Sequence, residues 1–228
     1  MARFVPYARP KASVDEIEAR SARFLADMDS RRSVRMFEAA QVPRSVMENI
    51  IQAASTAPSG AHRQPWTFAL VGDPEVKAAI RRAAEEEERQ NYEGGRLPLD
   101  WREALEPLGT DSDKSYLETV PWIVVLFEQR YGLRPDGSRF KNYYVKESVG
   151  IAAGFFLVAV HQAGLVALTH TPSPMAFLTK VLGRPENERP FALFPVGFPA
   201  ADCEVPDLAR KPLDQILSDP PTESGSTG

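Results

Sequence analysis

The residues best suited to chemistry begin with a dense cluster of cations near the amino terminus. Arg31, Arg32 and Arg35 lie within five residues, together with the hydroxyl of Ser33. Guanidinium groups bind phosphate oxygens through paired hydrogen bonds, so this spacing indicates a site for a phosphate monoester. Arg210 can join the cluster from the distant tail. A solvated basic turn between two helices explains the same residues, and the cluster alone does not separate the two interpretations.

An acidic run, Glu85–Glu88, ends one helical turn before Tyr92. Glu88 and Tyr92 are four residues apart and therefore share one face of a helix. Glu88 is suited to bind an external cation such as a substrate ammonium, and Lys114, farther along the chain, is suited to bind the matching carboxylate. A solvated acidic helix face is the alternative interpretation of the run.

Two short segments have the composition of ligand-contacting loops. Residues 57–62, Ala-Pro-Ser-Gly-Ala-His, precede a predicted strand, and their small side chains let the backbone approach a flat ligand and present amide donors. Residues 169–171, Thr-His-Thr, end another predicted strand, where open sheets bind ligands and a hydroxyl can donate to a ring nitrogen. A plain tight turn and a strand-end threonine satisfied by its own backbone are the alternatives.

Composition and missing motifs argue against several other functions. The formal net charge of −4 over 228 residues gives no field that would hold a nucleic acid. Neither a G-x-G-x-x-G nor a P-loop motif is present, and the three histidines and Cys203 show no zinc spacing, so we expect no metal site. The longest apolar run, 149–160, is too short to span a bilayer. Residues 1–10 lack a secretory signal, so we expect no membrane attachment and a cytoplasmic location.

The elements that must position these residues alternate between helices and strands. A capping box of Ser13 and Glu16 opens the first predicted helix. We predict helices at 13–29, 43–56, 73–92, 142–162 and 173–183, and strands at 66–71, 121–129, 165–169 and 191–198. Short buried strands between helices predict an α+β (α/β layered) fold in which helices cover both faces of one sheet.

Three regions are expected along the chain. Residues 1–30 form an amino-terminal arm and helix, and residues 31–198 form the main domain. Within it, residues 93–112 contain glycine and proline but no sustained period, so we expect a mobile lid over about residues 85–115. Residues 199–228 have too little apolar content to fold alone and are expected to lie over a partner subunit, with disorder from residue 220. A homodimer is the simplest partner.

Taken in order, these motifs resemble the nitroreductase-like flavoprotein superfamily and, within it, the iodotyrosine deiodinase family. The resemblance runs from about Arg31 to Ile216 and is carried by residues 31–35, 57–62, 65–68, 85–88, 91–92, 164–166, 171–172, 182–185, 205–208 and 210–216. It implies a nitroreductase-like fold with a central, mainly antiparallel sheet. It also implies a homodimer with exchanged terminal arms and one FMN in each of two sites at the subunit interface.

The resemblance implies a role for each motif by position. The implied cofactor-binding residues are Arg31, Arg32, Ser33, Val34, Arg35, Ser59, Gly60, Thr169, His170, Thr171 and Arg210. The amide of Ala61 would meet the substrate phenolate. Glu88, Tyr92 and Lys114 match the residues that bind the ammonium and carboxylate of an amino acid when the lid closes. Thr171 matches the hydroxyl that hydrogen-bonds N5 of the flavin, and it is the implied catalytic residue.

The implied activity is FMN-dependent reductive dehalogenation of halotyrosine zwitterions by single-electron steps. The substrate class is 3-iodotyrosine and, by extension, diiodo-, bromo- and chlorotyrosine. A general nitroreductase or quinone reductase of the same fold stays open, as does a flavin- or halotyrosine-binding module without turnover. The resemblance implies either NAD(P)H directly or a separate reductase as the electron donor, and no nicotinamide fingerprint is present to choose between them. His170 departs from the family's threonine-rich strand end.

Overall fold

The computed structural model describes residues 2–220, which contain seven α-helices and six β-strands. The helices are α1 (Val14–Ser30), α2 (Arg44–Ser55), α3 (Pro74–Tyr92), α4 (Leu99–Leu105), α5 (Tyr116–Thr119), α6 (Val145–Gln162) and α7 (Ala176–Val181). The strands are β1 (Trp66–Val71), β2 (Trp122–Gln129), β3 (Tyr131–Leu133), β4 (Arg139–Lys141), β5 (Val166–Ala167) and β6 (Glu188–Gly197). Every predicted helix and strand has a counterpart at or near its predicted position.

Side-chain caps fix where the helices begin. The Ser13 hydroxyl accepts a hydrogen bond from the amide of Glu16 at 3.2 Å, and the Glu16 carboxylate accepts from the amide of Ser13 at 2.9 Å. At the start of α3, the Asp73 carboxylate accepts from the amides of the two residues after Pro74, at 2.9 and 3.0 Å. Because the start is fixed, the residues that share each face of α3 are fixed as well.

One antiparallel sheet carries the fold, with strand order β1-β2-β6-β5. Residues 31–35, which we call the arginine segment, join it through a parallel bridge between Ser33 and Ala167 of β5. This antiparallel sheet, covered by helices on both faces, confirms the predicted α+β fold. The bridge also places the arginine segment beside the strand end at residues 169–171, although the two are far apart in sequence.

Alternate residues of β2 enter two separate cores. Val124 and Leu126 pack with α2 and α6 on one face of the sheet. Ile123, Val125 and Phe127 pack on the other face with α3, α5 and α7. All five side chains are fully buried. The second core anchors α3 and α5 against the sheet, and these two helices flank the cavity described below.

The stretch from residue 93 to 112 contains elements beyond those predicted. It contains α4 and a 3-10 turn at Glu106–Leu108, two elements that the sequence did not predict. α4 buries none of its residues, and Leu99 and Trp101 are exposed. A helix without a buried face has no one-sided apolar pattern, which is why periodicity did not reveal it.

The β3–β4 hairpin was not predicted either. Each strand has only three residues, too few to show alternation. Gly132 is required in β3 because an added Cβ would lie 1.9 Å from the Phe140 ring. The one sequence signal is Asp136–Gly137 at the turn, where Gly137 adopts a φ of 81°.

The two ends of the chain lie outside the packed cores. α1 has no buried residue, and its Phe24 and Leu25 are exposed, as are Ile216 and Leu217 in the tail. Exposed apolar side chains of this kind suit segments that pack against another surface. The disorder predicted for residues 220–228 falls, Pro220 excepted, outside the described residues. Between residues 2 and 220, no helix is long and apolar enough to cross a bilayer.

Candidate active site

A cavity of about 590 Å³ lies beside the carboxyl-terminal end of α3, and we call it the α3 cavity. Residues from α3, from the α4 region and from the strand end after β5 line it, and Arg35 contributes from the arginine segment. The wall combines apolar side chains, such as Trp101 and Leu105, with charged ones. A cavity with this mixture suits a small ligand that has an aromatic ring and ionic groups.

Three residues predicted from different parts of the sequence meet in the α3 cavity. Glu88, Tyr92 and Lys114 all line it. The Lys114 ammonium lies 5.8 Å from the centroid of the Tyr92 ring, and the Tyr92 hydroxyl is within hydrogen-bond distance, 2.6 Å, of the Thr110 hydroxyl. Burial raises the pKa of Tyr92, so its hydroxyl stays protonated and able to donate at neutral pH. The cavity therefore presents a carboxylate, an ammonium and a phenol together.

Lys114 is unusually buried for a lysine, with 5% of its surface exposed. Burial lowers the pKa of its ammonium, while the Glu88 and Asp111 carboxylates act in the opposite direction. The ammonium donates to the backbone carbonyl of Asp111. A buried cation of this kind gains from an additional anionic partner in the cavity.

The position of Lys114 is set by Glu85, from the acidic run of α3. The Glu85 carboxylate accepts a hydrogen bond from the backbone amide of Lys114 at 3.0 Å and is held by Arg81 at 2.7 Å. Arg81 also reaches the Asp113 carboxylate at 3.4 Å. This cluster fastens the end of the predicted lid to α3.

Glu85→Ala should therefore loosen the segment that carries Lys114. We expect amide hydrogen exchange in residues 110–116 to speed up about tenfold, since a charge-assisted hydrogen bond is worth about 1.5 to 3 kcal/mol. Hydrogen exchange followed by mass spectrometry measures the exchange rate of this segment. Glu86→Ala is the matched control, because Glu86 is exposed and pairs with Arg89 instead. Equal exchange in the two variants would contradict the assignment of Glu85.

The strand end at residues 169–171 divides its side chains between two directions. All three residues line the α3 cavity, but Thr169 and Thr171 are exposed whereas His170 is buried. The His170 Nε2 atom lies 3.4 Å from Glu88 Oε1. The two hydroxyls thus remain available to a ligand, while the imidazole meets the acidic residue of α3.

A second cavity, of about 340 Å³, is lined by the arginine segment, and we call it the arginine cavity. Its wall includes Arg31, Arg32, Ser33, Arg35 and Arg210. Residues 35, 108, 168 and 169 line both cavities, so the two adjoin. A ligand lying across both would have an anionic end among the arginines and a second part near the strand end.

Arg31 lies in surroundings that disfavour its positive charge. Burial lowers the pKa of Arg31, and the positive charges of Arg210 and Arg32 lower it further. Arg210 donates to the Asp29 carboxylate at 2.8 Å and to the Arg31 carbonyl at 2.7 Å, which ties the tail to the end of α1. Among the described residues, Asp29 is the one carboxylate paired with this cluster, and it pairs with Arg210 alone. The cluster therefore fits a multiply charged anion such as a phosphate monoester.

Val34 contributes differently from its neighbours. Its side chain packs in the core with α3 and α5, and its amide donates to the Ala167 carbonyl at 3.2 Å. Val34 thus holds the arginine segment on the sheet, and it has no polar side-chain atom to offer a ligand.

The loop at residues 59–61 lies apart from both cavities: Ser59, Gly60 and Ala61 are absent from the described linings. Gly60 packs against the start of α6, where its amide donates to the Ser148 hydroxyl at 3.2 Å and an added Cβ would lie 2.6 Å from the Tyr143 carbonyl oxygen. Ala61 is exposed and has a φ of 51°, a left-handed backbone that alanine rarely adopts. A single chain does not bring this loop to the cavities.

Two aromatic residues of the α3 cavity, a tyrosine and a tryptophan, were not predicted as site residues. Tyr116 begins α5 and Trp101 lies on α4, and both line the cavity. Burial raises the pKa of Tyr116 well above its ordinary value. Their positions depend on helices with no readable amphipathic pattern, so the sequence held no signal for either.

The family model and the similar sequences assign this chain to the same family. Residues 28–198 match the model of the nitroreductase family. Iodotyrosine deiodinase of Haliscomenobacter hydrossis is 57% identical over 94% of this chain and 96% of the relative. Iodotyrosine deiodinase 1 of Homo sapiens is 44% identical over 93% of this chain and 74% of the relative.

Solved structures of similar fold are consistent with these sequence matches. A crystal structure of oxidized iodotyrosine deiodinase bound to FMN and 3-iodo-L-tyrosine has a TM-score of 0.75 and 27% identity, covering 87% of this chain and 98% of that one. A BluB-like flavoprotein from Clostridium difficile 630 shares the fold, with a TM-score of 0.65 at 20% identity over 87% of this chain and 99% of that one. The chain belongs to the nitroreductase family and, within it, to the iodotyrosine deiodinases.

Proposed function

We propose that this chain is an FMN-dependent oxidoreductase that reductively dehalogenates halotyrosines, converting 3-iodotyrosine to tyrosine. The observation that carries the proposal is that Glu88 and Lys114, of opposite charge, line one cavity that adjoins a cavity of arginines. A similar protein was solved with FMN and 3-iodo-L-tyrosine bound, which supports both ligands. Diiodo-, bromo- and chlorotyrosine carry the same zwitterion and belong to the same substrate class.

The arginine cavity fits the phosphate of FMN. Arg31, Arg32, Arg35 and Arg210 would hold the phosphate and the edge of the flavin, assisted by the Ser33 hydroxyl. Burial and the charges of Arg210 and Arg32 lower the pKa of Arg31, and a dianion bound among these cations would offset both effects. When bound, FMN supplies the two electrons that, with one proton, replace iodine by hydrogen on the aryl ring and release iodide.

The strand end completes the cofactor site. Thr169 and Thr171 are exposed to the α3 cavity, and we assign the Thr171 hydroxyl as the donor to the flavin N5 atom and as the catalytic residue. A hydrogen bond at that nitrogen favours delivery of electrons one at a time. His170 belongs to the same site but faces Glu88.

The α3 cavity supplies both charges that a zwitterion needs. Glu88 binds the ammonium and Lys114 binds the carboxylate, while Tyr92 contributes a phenol hydroxyl. Desolvating two charges at once is costly unless each finds a partner, so the pair selects amino acids over plain phenols. We propose that the segment from residue 85 to 115 closes over the substrate as a lid and excludes water.

A homodimer accounts for the loop at residues 59–61. Ser59 and Gly60 would line the flavin, and the Ala61 amide would donate to the substrate phenolate, from a second copy of the chain. The exposed apolar residues of α1 and of the tail give the two copies extended arms to exchange. Sedimentation equilibrium should give twice the 25.3 kDa chain mass, and a monomer that retains FMN would contradict the shared site.

The substrate range separates this proposal from its alternatives. Reduced protein should release iodide from 3-iodotyrosine with a kcat/KM at least about a hundredfold above that for 2-iodophenol, because two charge-assisted contacts are missing in the phenol. A general nitroreductase would reduce a nitroarene that lacks both charges as readily as it reduces 3-iodotyrosine. A binding module would take up 3-iodotyrosine and release no iodide.

Two further points remain proposals. The electron donor is NAD(P)H or a separate reductase, which activity assays with each donor decide. A cytoplasmic location follows from the sequence expectations alone, and cell fractionation tests it.

A further inference from the structure

Glu88, the carboxylate that would bind the substrate ammonium, is in contact with the imidazole of His170. His170 Nε2 lies 3.4 Å from Glu88 Oε1, and the two side chains are 9% and 12% exposed. Both residues line the α3 cavity. Because a carboxylate has two oxygens, Glu88 can accept from the imidazole and still present an oxygen to a ligand.

The imidazole is held in place from both sides. The His170 backbone exchanges two hydrogen bonds with Leu193 of β6, at 2.8 and 2.9 Å. Its ring meets the Tyr116 ring edge-on, with centroids 6.2 Å apart and planes at 67°. The opposite ring nitrogen, Nδ1, is buried and has no hydrogen-bond partner among the described residues. The His170 ring is therefore fixed in place, and Glu88 is the polar contact of its Nε2 atom.

The surroundings favour the neutral imidazole. Burial lowers the pKa of His170, the Glu88 carboxylate opposes this, and the cations Lys114 and Arg35 lower the pKa further. A neutral ring donates from Nε2 to Glu88 and leaves Nδ1 as an unpaired acceptor. A protonated ring would bury an unpaired donor as well as a third positive charge beside Lys114 and Arg35. The remaining charged and titratable groups of the lining are the guanidinium of Arg96, the phenols of Tyr92 and Tyr116, and the carboxylates of Asp111 and Asp113.

We propose that His170 is a positioning residue for Glu88: neutral, it orients the carboxylate for the substrate ammonium, and protonated, it competes with that ammonium. The inference rests on the proposed function, since it requires Glu88 to bind the ammonium of a halotyrosine. It predicts that substrate binding depends on pH through the protonation of His170.

The competition follows from charge. With neutral His170, the full negative charge of Glu88 is available to the ammonium. With protonated His170, one carboxylate must serve two cations in a cavity that already contains Lys114 and Arg35, so binding weakens. Because the pKa of His170 lies below the ordinary value of 6.5, the weakening begins on the acidic side of that value.

The test measures the dissociation constant of 3-iodo-L-tyrosine for the oxidised, FMN-loaded protein by calorimetry from pH 7.5 to pH 5. His170→Gln keeps a donor to Glu88 but cannot titrate. We expect the ratio of the wild-type constant to the His170→Gln constant to rise about threefold to tenfold as the pH falls, as for one titrating group. Titration of the ligand itself cancels in this ratio.

Two more variants separate positioning from structure. His170→Leu removes the donor and should weaken binding about fivefold at pH 7.5, whereas His170→Gln should stay within about twofold of the wild type. His161→Gln is the matched control: His161 Nε2 lies 3.5 Å from an Asp27 carboxylate oxygen and lines neither cavity of the proposed site. It should reproduce the wild-type pH profile.

The outcomes distinguish a failure of this inference from a failure of the proposed function. A flat ratio of wild type to His170→Gln across the pH range would overturn the role of His170 alone, as would the same change of profile in His161→Gln. Failure of the FMN-loaded wild type to bind 3-iodo-L-tyrosine at pH 7.5 would overturn the proposed function, and this inference with it.

Discussion

Replacing Lys114 by methionine should raise the dissociation constant of 3-iodotyrosine about 10- to 150-fold, the loss of about 1.5 to 3 kcal/mol that a charge-assisted contact contributes. Methionine keeps the length and apolar character of the lysine stem and removes only the cation. FMN content should not change, because Lys114 does not line the arginine cavity, to which we assign the FMN phosphate. Calorimetry on the FMN-loaded protein measures the constant.

The stability of the Lys114→Met variant distinguishes lost binding from lost folding. Burial lowers the pKa of Lys114, so at neutral pH the folded chain bears a cost for keeping this ammonium charged. Removing the charge should therefore leave the free energy of unfolding unchanged or higher. Lys180→Met, on an exposed position of α7, is the control. An unchanged dissociation constant in Lys114→Met would remove Lys114 from the substrate site.

The second large effect is expected at Arg31, where glutamine should weaken FMN binding about 10- to 150-fold while the apoprotein stays folded. Arg31 lines the arginine cavity, and a phosphate dianion gains from each guanidinium in it. Flavin fluorescence during titration of the apoprotein measures the affinity.

Apoprotein stability should respond in the opposite direction. The pKa of Arg31 is lowered by burial and by the charges of Arg210 and Arg32, so its charge destabilises the folded apoprotein. We expect the melting temperature of apo Arg31→Gln to equal or exceed that of the wild type. Arg82→Gln, on an exposed position of α3, should change neither quantity. Full FMN affinity in Arg31→Gln would place the phosphate elsewhere.

Local signals made much of the fold predictable. The Asp73 cap and Pro74 fix the start of α3, and the unbroken apolar stretch of β2 identifies a central strand buried on both faces. α4 was not predictable because it buries no residue and so carries no pattern. Its residues line one cavity with those of α3 and of the strand end at 169–171, an arrangement that no local window contains.

The candidate site also contains some residues that local spacing predicts and some contacts that only tertiary packing produces. Glu88 and Tyr92 were predictable as a pair because four residues separate them on one helix. The contact of His170 with Glu88 joins residues 82 positions apart, and only tertiary packing produces it. The resemblance predicts a place beside the flavin for His170, and the structure adds the contact of its ring with Glu88. Ser59, Gly60 and Ala61 illustrate a further limit, because one chain alone does not bring them to the cavities.

The central claim is that electrons held at this site pass to a bound halotyrosine. The direct measurement is a single turnover: FMN-loaded protein is reduced without oxygen, mixed with one equivalent of 3-iodotyrosine, and assayed for iodide, tyrosine and flavin absorbance. We predict one iodide and one tyrosine for each flavin, which returns to its oxidised form. A flavin that stays bound and reduced, with no iodide released, would contradict the claim.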